Sequence, residues 1–137
     1  MNYVFDSSFV AALVIPDEKN QYVDKLYAKI LNDDEKHTPH LFWHEIANIF
    51  MGLIRRKRYS HDEVIQFIPR VAAFRLITDF ETGGMYCEKL LRLCNDYNLS
   101  SYDAAYLELA ERKKAVLCTL DENLKKAAKK YGVITVK

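Results

Sequence analysis

Four acids stand where a carboxylate can do chemistry. Asp6 closes the short apolar segment Asn2-Tyr3-Val4-Phe5 and is followed at once by Ser7 and Ser8. Asp121 closes the apolar run from Ala115 to Leu120 in the same way, and Asp103 stands just behind Ser100-Ser101. Glu45 lies between His44 and Ile46, close to an apolar stripe where an unpaired carboxylate is expensive. In an open parallel sheet, ligands bind in the crevice beyond the carboxyl ends of the strands. If these segments share that edge, four carboxylates converge on one crevice. Like charges in a partly desolvated pocket repel, so such a group must take up protons or bind a cation. Oxygen donors without a cysteine or histidine pattern favour Mg²⁺ or Mn²⁺ over zinc. A divalent ion there activates a water and neutralises the charge that grows on a phosphoryl oxygen. Each acid also has a local reading: Asp6 and Asp121 as helix caps, Asp103 as a favourable charge in a first helical turn. The set carries the argument, not its members.

The elements that must position these acids follow from periodicity and punctuation. Tyr3 to Phe5 is an expected strand, and Ser7 or Ser8 caps a short helix that Pro16 stops. Asp17 is expected to cap a second helix to about Leu31, with Tyr22, Val23, Leu26, Tyr27 and Ile30 at helical spacing. After the polar loop from Asn32 to Lys36, His37-Thr38-Pro39 is a brief strand. A long helix follows over roughly His40 to Arg56, its buried stripe Phe42, Ile46, Ile49, Phe50 and Leu53. Ser60 and Glu63 make a capping box for a helix to about Ala73, which Pro69 should kink or end early. Arg75 to Thr78 is the third strand. A helix from Glu81 to Tyr97 buries Tyr86, Leu90, Leu91, Leu93 and Cys94, its first turn weakened by Gly83-Gly84. Serines in the turn from Leu99 to Tyr102 cap a helix to Lys113. Ala115 to Leu120 is a strand, Gly132 stops the helix after Asp121, and Val133 to Val136 is the last strand. Strands separated by helical segments indicate an α/β sandwich on a parallel sheet.

Composition bounds the rest. A chain of 137 residues, half of them apolar and 28% charged, reads as one globular domain over 1–137. A net charge of +1 leaves any attraction for nucleic acid to local clusters. The longest apolar run, Phe9 to Ile15, is far short of a membrane span, and no basic segment precedes it as in a signal peptide. Cys87, Cys94 and Cys118 form no CxxC pair and read as buried thiols of a reducing cytoplasm.

The sequence resembles a PIN domain, and in size and layout a VapC-type toxin ribonuclease of a toxin–antitoxin pair. Four blocks carry the resemblance in family order: Val4-Phe5-Asp6-Ser7-Ser8, His44-Glu45-Ile46-Ala47-Asn48, Ser101 to Ala110 (SYDAAYLELA), and Thr119-Leu120-Asp121-Glu122-Asn123-Leu124. It implies a three-layer α/β/α sandwich with a parallel sheet of about five strands in the order 3-2-1-4-5. It implies that Asp6, Glu45, Asp103 and Asp121 hold Mg²⁺ or Mn²⁺, with Ser7 and Thr119 as supporting hydroxyls. The implied reaction is hydrolysis of a phosphodiester in a structured RNA, tRNA or rRNA, by a toxin that a cognate antitoxin neutralises. A homodimer is implied too, in keeping with apolar Leu41, Trp43, Met51 and Ile54 beside or outside the stripe of their helix.

Other signals admit two readings. Arg55-Arg56-Lys57-Arg58 are either cations at a helix C-terminus or RNA contacts. Lys125, Lys126, Lys129 and Lys130 form the solvated face of the last helix or meet phosphate. His37, His40 and His44 lack a zinc arrangement and read as ordinary packing or surface residues. Competing functions are a stand-alone PIN nuclease in RNA processing, a PIN-fold module that binds without cutting, and a receiver-like phosphoacceptor. The last expects paired acids after its first strand and a lysine after its last, where only Lys137 remains.

Overall fold

The computed structural model describes residues 1–136; Lys137 lies outside the described residues. Strand β1 (Asn2–Phe5) is central, with Val4 and Phe5 fully buried. It pairs in parallel with β2 (Glu35–Pro39) on one side and β4 (Val116–Cys118) on the other, and β2 pairs in parallel with β3 (Ile77–Asp79). The order is β3-β2-β1-β4. The expected fifth strand is reduced to one parallel bridge, Leu117 to Thr135, held by Leu117 N–H donating to Ile134 O (2.8 Å) and Val136 N–H donating to Leu117 O (3.2 Å). The sheet thus has four strands instead of five, because β4 offers its outer edge over only three residues. The chain walks outward from β1 to β3 and returns to β4, so the topological switch point lies between β1 and β4. Receiver-type sheets, ordered 2-1-3-4-5, place β3 beside β1, and that reading is overturned.

Helices α1 (Ser7–Val14), α2 (Gln21–Ala28), α3 (Leu41–Arg55), α4 (His61–Ile65), α5 (Ile68–Ala72), α6 (Gly84–Tyr97), α7 (Ser101–Arg112) and α8 (Glu122–Tyr131) complete the α/β architecture. Two caps differ from expectation. The α1 cap is Asp6 itself, and Asn20 caps α2 by accepting from Tyr22 and Val23 N–H. Asp17 sits instead in a 3-10 turn, Pro16–Glu18, and pairs with Arg58. The Ser60–Glu63 box forms with both reciprocal bonds, and the chain breaks into two short helices ahead of Pro69. Helix α6 starts only at Gly84, because Gly83 has a φ of +102°. Leu91 is 67% exposed and Cys87 is exposed, so of the three thiols only Cys118 is buried. A helix that covers a sheet on one side buries a narrow stripe, here centred on Leu93.

One continuous core joins both helical layers to the sheet. Phe5 packs on Phe9 at 4.9 Å and, edge-on, on Phe74 at 6.3 Å, tying β1 to α1 and to the segment entering β3. Across the sheet, Glu108 is almost wholly buried in α7, and Arg112 meets it at 2.8 Å while gripping Asp79 at the end of β3 through two bonds of 2.9 and 2.7 Å. Lys89 of α6 reaches Glu108 at 3.3 Å. The guanidinium holds the Asp79 carboxyl below the usual range. Removing one partner of a buried pair strands the other charge, so Arg112→Ala should lower the unfolding free energy by about 3 kcal/mol in urea denaturation. A loss near that of an exposed pair, below about 1 kcal/mol, would mean that the network does not lock α7 to β3.

Candidate active site

The site begins where β1 ends. Asp6 still donates its backbone N–H to Cys118 O (3.1 Å), so it belongs to the β1–β4 ladder while its side chain turns to α1. Oδ1 accepts from Phe9 N–H (2.9 Å) and from the Ser8 hydroxyl (2.7 Å), and Oδ2 accepts from the Thr119 hydroxyl. The same two hydroxyls accept in turn: Ser8 Oγ from Leu120 N–H (3.1 Å) and Thr119 Oγ1 from Asp121 N–H (3.0 Å). Asp6, only 5% exposed, thereby fastens the start of α1 to the connection between β4 and α8.

The other three acids arrive on helices. Glu45 projects from the second turn of α3, and its Oε1 accepts from Tyr106 OH (2.5 Å) and from Ser7 OH (3.4 Å). Asp103 occupies the first turn of α7, where Ser100 Oγ caps the helix by accepting from the Asp103 N–H (3.1 Å). Asp121 caps α8, its Oδ1 accepting from Leu124 N–H (2.9 Å). The local readings therefore hold alongside the collective one. A carboxylate that closes a strand and caps the next helix is thereby set at the carboxyl edge of the sheet.

The electrostatics link the four. Burial pushes the Asp6 carboxyl up to about 6 against the pull of its three hydrogen bonds, and the charge of Glu45 adds to the rise. Glu45 is raised by burial first; its bond to Tyr106 opposes this and Asp103 reinforces it. Asp103 is raised by burial and then by Asp121. Repulsion thus runs from Asp6 through Glu45 and Asp103 to Asp121, and among the described residues none of the four has a cationic partner within ion-pair reach. Nor, among the described residues, are three His, Cys, Asp or Glu side chains gathered tightly enough to hold a metal ion by themselves. Mg²⁺ does not require such a cage: it is held through one or two carboxylates and keeps several waters. An all-oxygen set of uncompensated carboxylates fits that mode.

Two side chains in the site escape sequence reading as members of it. Tyr106 is buried one turn after Asp103, and burial followed by its bond to Glu45 raises its phenol above the ordinary value. The spacing Asp103-Ala104-Ala105-Tyr106 is the available signal, since residues three apart share a helix face. Ser8 rather than Ser7 bonds Asp6, while Ser7 serves Glu45. The basic residues Arg55, Arg56, Lys57 and Arg58 are all exposed at the end of α3, and Arg58 is occupied with Asp17 (3.2 Å) and Glu18 (3.7 Å). Lys125 pairs with Glu122, His37 is buried against Glu35, and His40 and His44 stack edge-on at 5.5 Å.

Residues 3–130 of the chain match the PIN-domain family model, and the chain belongs to that family. Among relatives, it is 28% identical over 124 residues to Ribonuclease VapC3 of Pyrobaculum aerophilum, covering 90% of this chain and 92% of that protein. The crystal structure of PAE2754 from Pyrobaculum aerophilum superimposes with a TM-score of 0.70 at 25% identity, covering 99% of this chain and 92% of the other. VapBC-1 from nontypeable Haemophilus influenzae gives a TM-score of 0.69 at 13% identity, covering 100% and 98%.

The raised Asp6 carboxyl sets a pH dependence. Its folded value near 6 exceeds the unfolded value of roughly 3.9, so the folded state holds the extra proton between these two values. Its contribution to stability is greatest below the lower value and is lost as pH rises through the upper one. At neutral pH the buried charge therefore opposes folding by roughly 2–3 kcal/mol. Without divalent ions, Asp6→Asn should raise the melting temperature at pH 7.5, and the difference should shrink toward pH 4. A mutant no more stable than wild type at pH 7.5 would contradict this account.

Proposed function

We propose that this protein is a metal-dependent endoribonuclease that hydrolyses phosphodiester bonds of structured RNA, a toxin held in check by a cognate antitoxin. The observation that carries the reading is the run of four mutually repelling carboxylates at the switch point, with no cation of the chain within reach among the described residues. Leaving such charges uncompensated is costly in a partly buried site, and a site tuned to receive a cation accounts for it. Membership of the PIN-domain family and the relative named Ribonuclease VapC3 support nuclease chemistry.

In this reading Asp6, Glu45, Asp103 and Asp121 would hold Mg²⁺, or Mn²⁺ in its place, one or two of them directly and the others through its retained waters. Such an ion would supply activation of a water and offset the charge that develops on the phosphoryl group. The chain's own part is positioning. Ser8 and Thr119 fix the two oxygens of Asp6, Ser7 and Tyr106 orient Glu45, and the helix caps aim Asp103 and Asp121. Carboxylates already placed need little reorganisation when charge builds up, and that is the source of electrostatic catalysis.

The fold shared with VapBC-1 supports an antitoxin partner. Exposed Trp43, Met51, Ile65 and Ile68 line or flank an apolar groove on α3, α4 and α5 that suits assembly as a homodimer. Among the described residues no helix is long and apolar enough to cross a membrane, and a cytoplasmic setting suits the free cysteines and an RNA substrate.

The test is cleavage of total cellular RNA with Mg²⁺, Mn²⁺ or EDTA. Discrete fragments should form with either ion and vanish in EDTA. Asp103→Asn, an isosteric change at a half-buried first-turn position outside the apolar core, should slow their formation roughly a hundredfold or more. Equal cleavage by both proteins would assign the activity to a contaminant. No cleavage by folded wild-type protein with bound metal would turn the reading toward a PIN-fold binding module.

A further inference from the structure

The stripe of α3 that carries Glu45 continues along the helix. Residues 45, 48, 49, 52 and 56 recur at three- and four-residue spacing and so lie on one face, the face turned to α1. Between the two helices runs an open groove of about 440 Å³, lined by Ser8, Ala11, Ala12, Asn48, Gly52 and Arg56, with Ile49, Glu18 and Leu120 on its walls. Its near end belongs to the acidic site, because Ser8 bonds Asp6 and Leu120 bonds Ser8. Its far end carries the Arg56 guanidinium, laid back over Gly52. A Cβ at position 52 would lie 3.2 Å from Arg56 Nη1. Gly52 stands seven residues beyond Glu45, which places the guanidinium roughly 10 Å down the helix axis from the acid.

We propose that this groove is the track of the substrate strand, and that Arg56, with the Asn48 amide beside it, binds a backbone phosphate a short way along the strand from the one that is cut. The inference rests on the nuclease reading above and deepens it. Charge removes one of the four basic residues from the candidates. Arg58 is engaged by Asp17 and Glu18 and drops out, whereas Arg56, like Arg55 and Lys57, makes no ion pair among the described residues. Arg58 also takes up the charge of Glu18, the one acid lining the groove, which would otherwise repel a phosphate. Geometry selects Arg56 from the remaining three, since it alone lines the groove that opens onto the acids. Guanidinium binds phosphate as a planar fork, and the small side chains of Ala11, Ala12 and Gly52 leave room for a strand. A cation held this way also counteracts the repulsion that the acids exert on incoming RNA.

The test uses the full chain carrying Asp103→Asn, so that bound RNA is not cut, and a fluorescent total-tRNA preparation with Mg²⁺ over a range of salt. Arg56→Gln should weaken binding about tenfold at moderate salt and reduce the slope of log K against log salt by about one, the mark of one lost phosphate contact. Gly52→Ala should weaken binding less, by displacing the guanidinium without removing it. Arg92→Gln, an exposed change on α6 outside the groove, should change neither quantity. Unchanged affinity and slope in Arg56→Gln, beside a parent that binds RNA, would overturn the subsite, leave the groove to a polypeptide ligand and leave the nuclease reading intact. A parent that binds no RNA at all would overturn both.

Discussion

The site is organised around one buried carboxylate. Asp6 terminates the central strand, caps α1 and, through Ser8 and Thr119, binds the connection that delivers Asp121. Removed from water, a carboxylate is tolerated only where its oxygens are satisfied, and here every bond that satisfies it also positions a neighbour. Phe9 N–H fixes the helix start, and Thr119 fixes the approach to α8. The cost of that burial survives in the carboxyl value near 6.

From this junction the other acids acquire their meaning. Glu45 would be an ordinary half-buried residue of α3 were it not for Tyr106 and Ser7, which bring its Oε1 to the edge where Asp6 lies. Helix α7 supplies both Tyr106 and Asp103, and the ion network of Glu108, Arg112 and Asp79 holds that helix at its other end. A structural network at one end of a helix thus steadies the chemistry at the other. Apart from Glu45, the acids are placed by capping or a first helical turn, so the site is built from backbone geometry more than from packing.

Much of this is legible in the chain. Strand-closing acids followed by serine or threonine announce both the sheet edge and the helix starts, and the Ser60–Glu63 box and the Gly132 stop form as their residue types dictate. What is not legible depends on distant partners. Nothing local shows that Asn20 and not Asp17 caps α2; the latter is drawn off by Arg58, 41 residues away. Nothing local tells that Leu91 faces solvent while Leu93 is buried, because only the position of α7 decides which face of α6 is covered. The last strand shrinks to a bridge for a similar reason, since its length is set by the short edge that β4 presents. Tyr106 sits in plain view one turn from Asp103, yet its role requires Glu45, which lies 61 residues earlier.

On the proposed reading the four carboxylates form one electrostatic unit completed by a divalent cation. The most direct test of that reading is calorimetric titration of Mn²⁺ into the folded wild-type chain and into Asp121→Asn, with no RNA present. Saturable binding by the wild type is expected, weakened at least several-fold on loss of the Asp121 charge, although Asn keeps the helix cap. Equal Mn²⁺ affinity in the two proteins, or no saturable binding by the wild type, would contradict it.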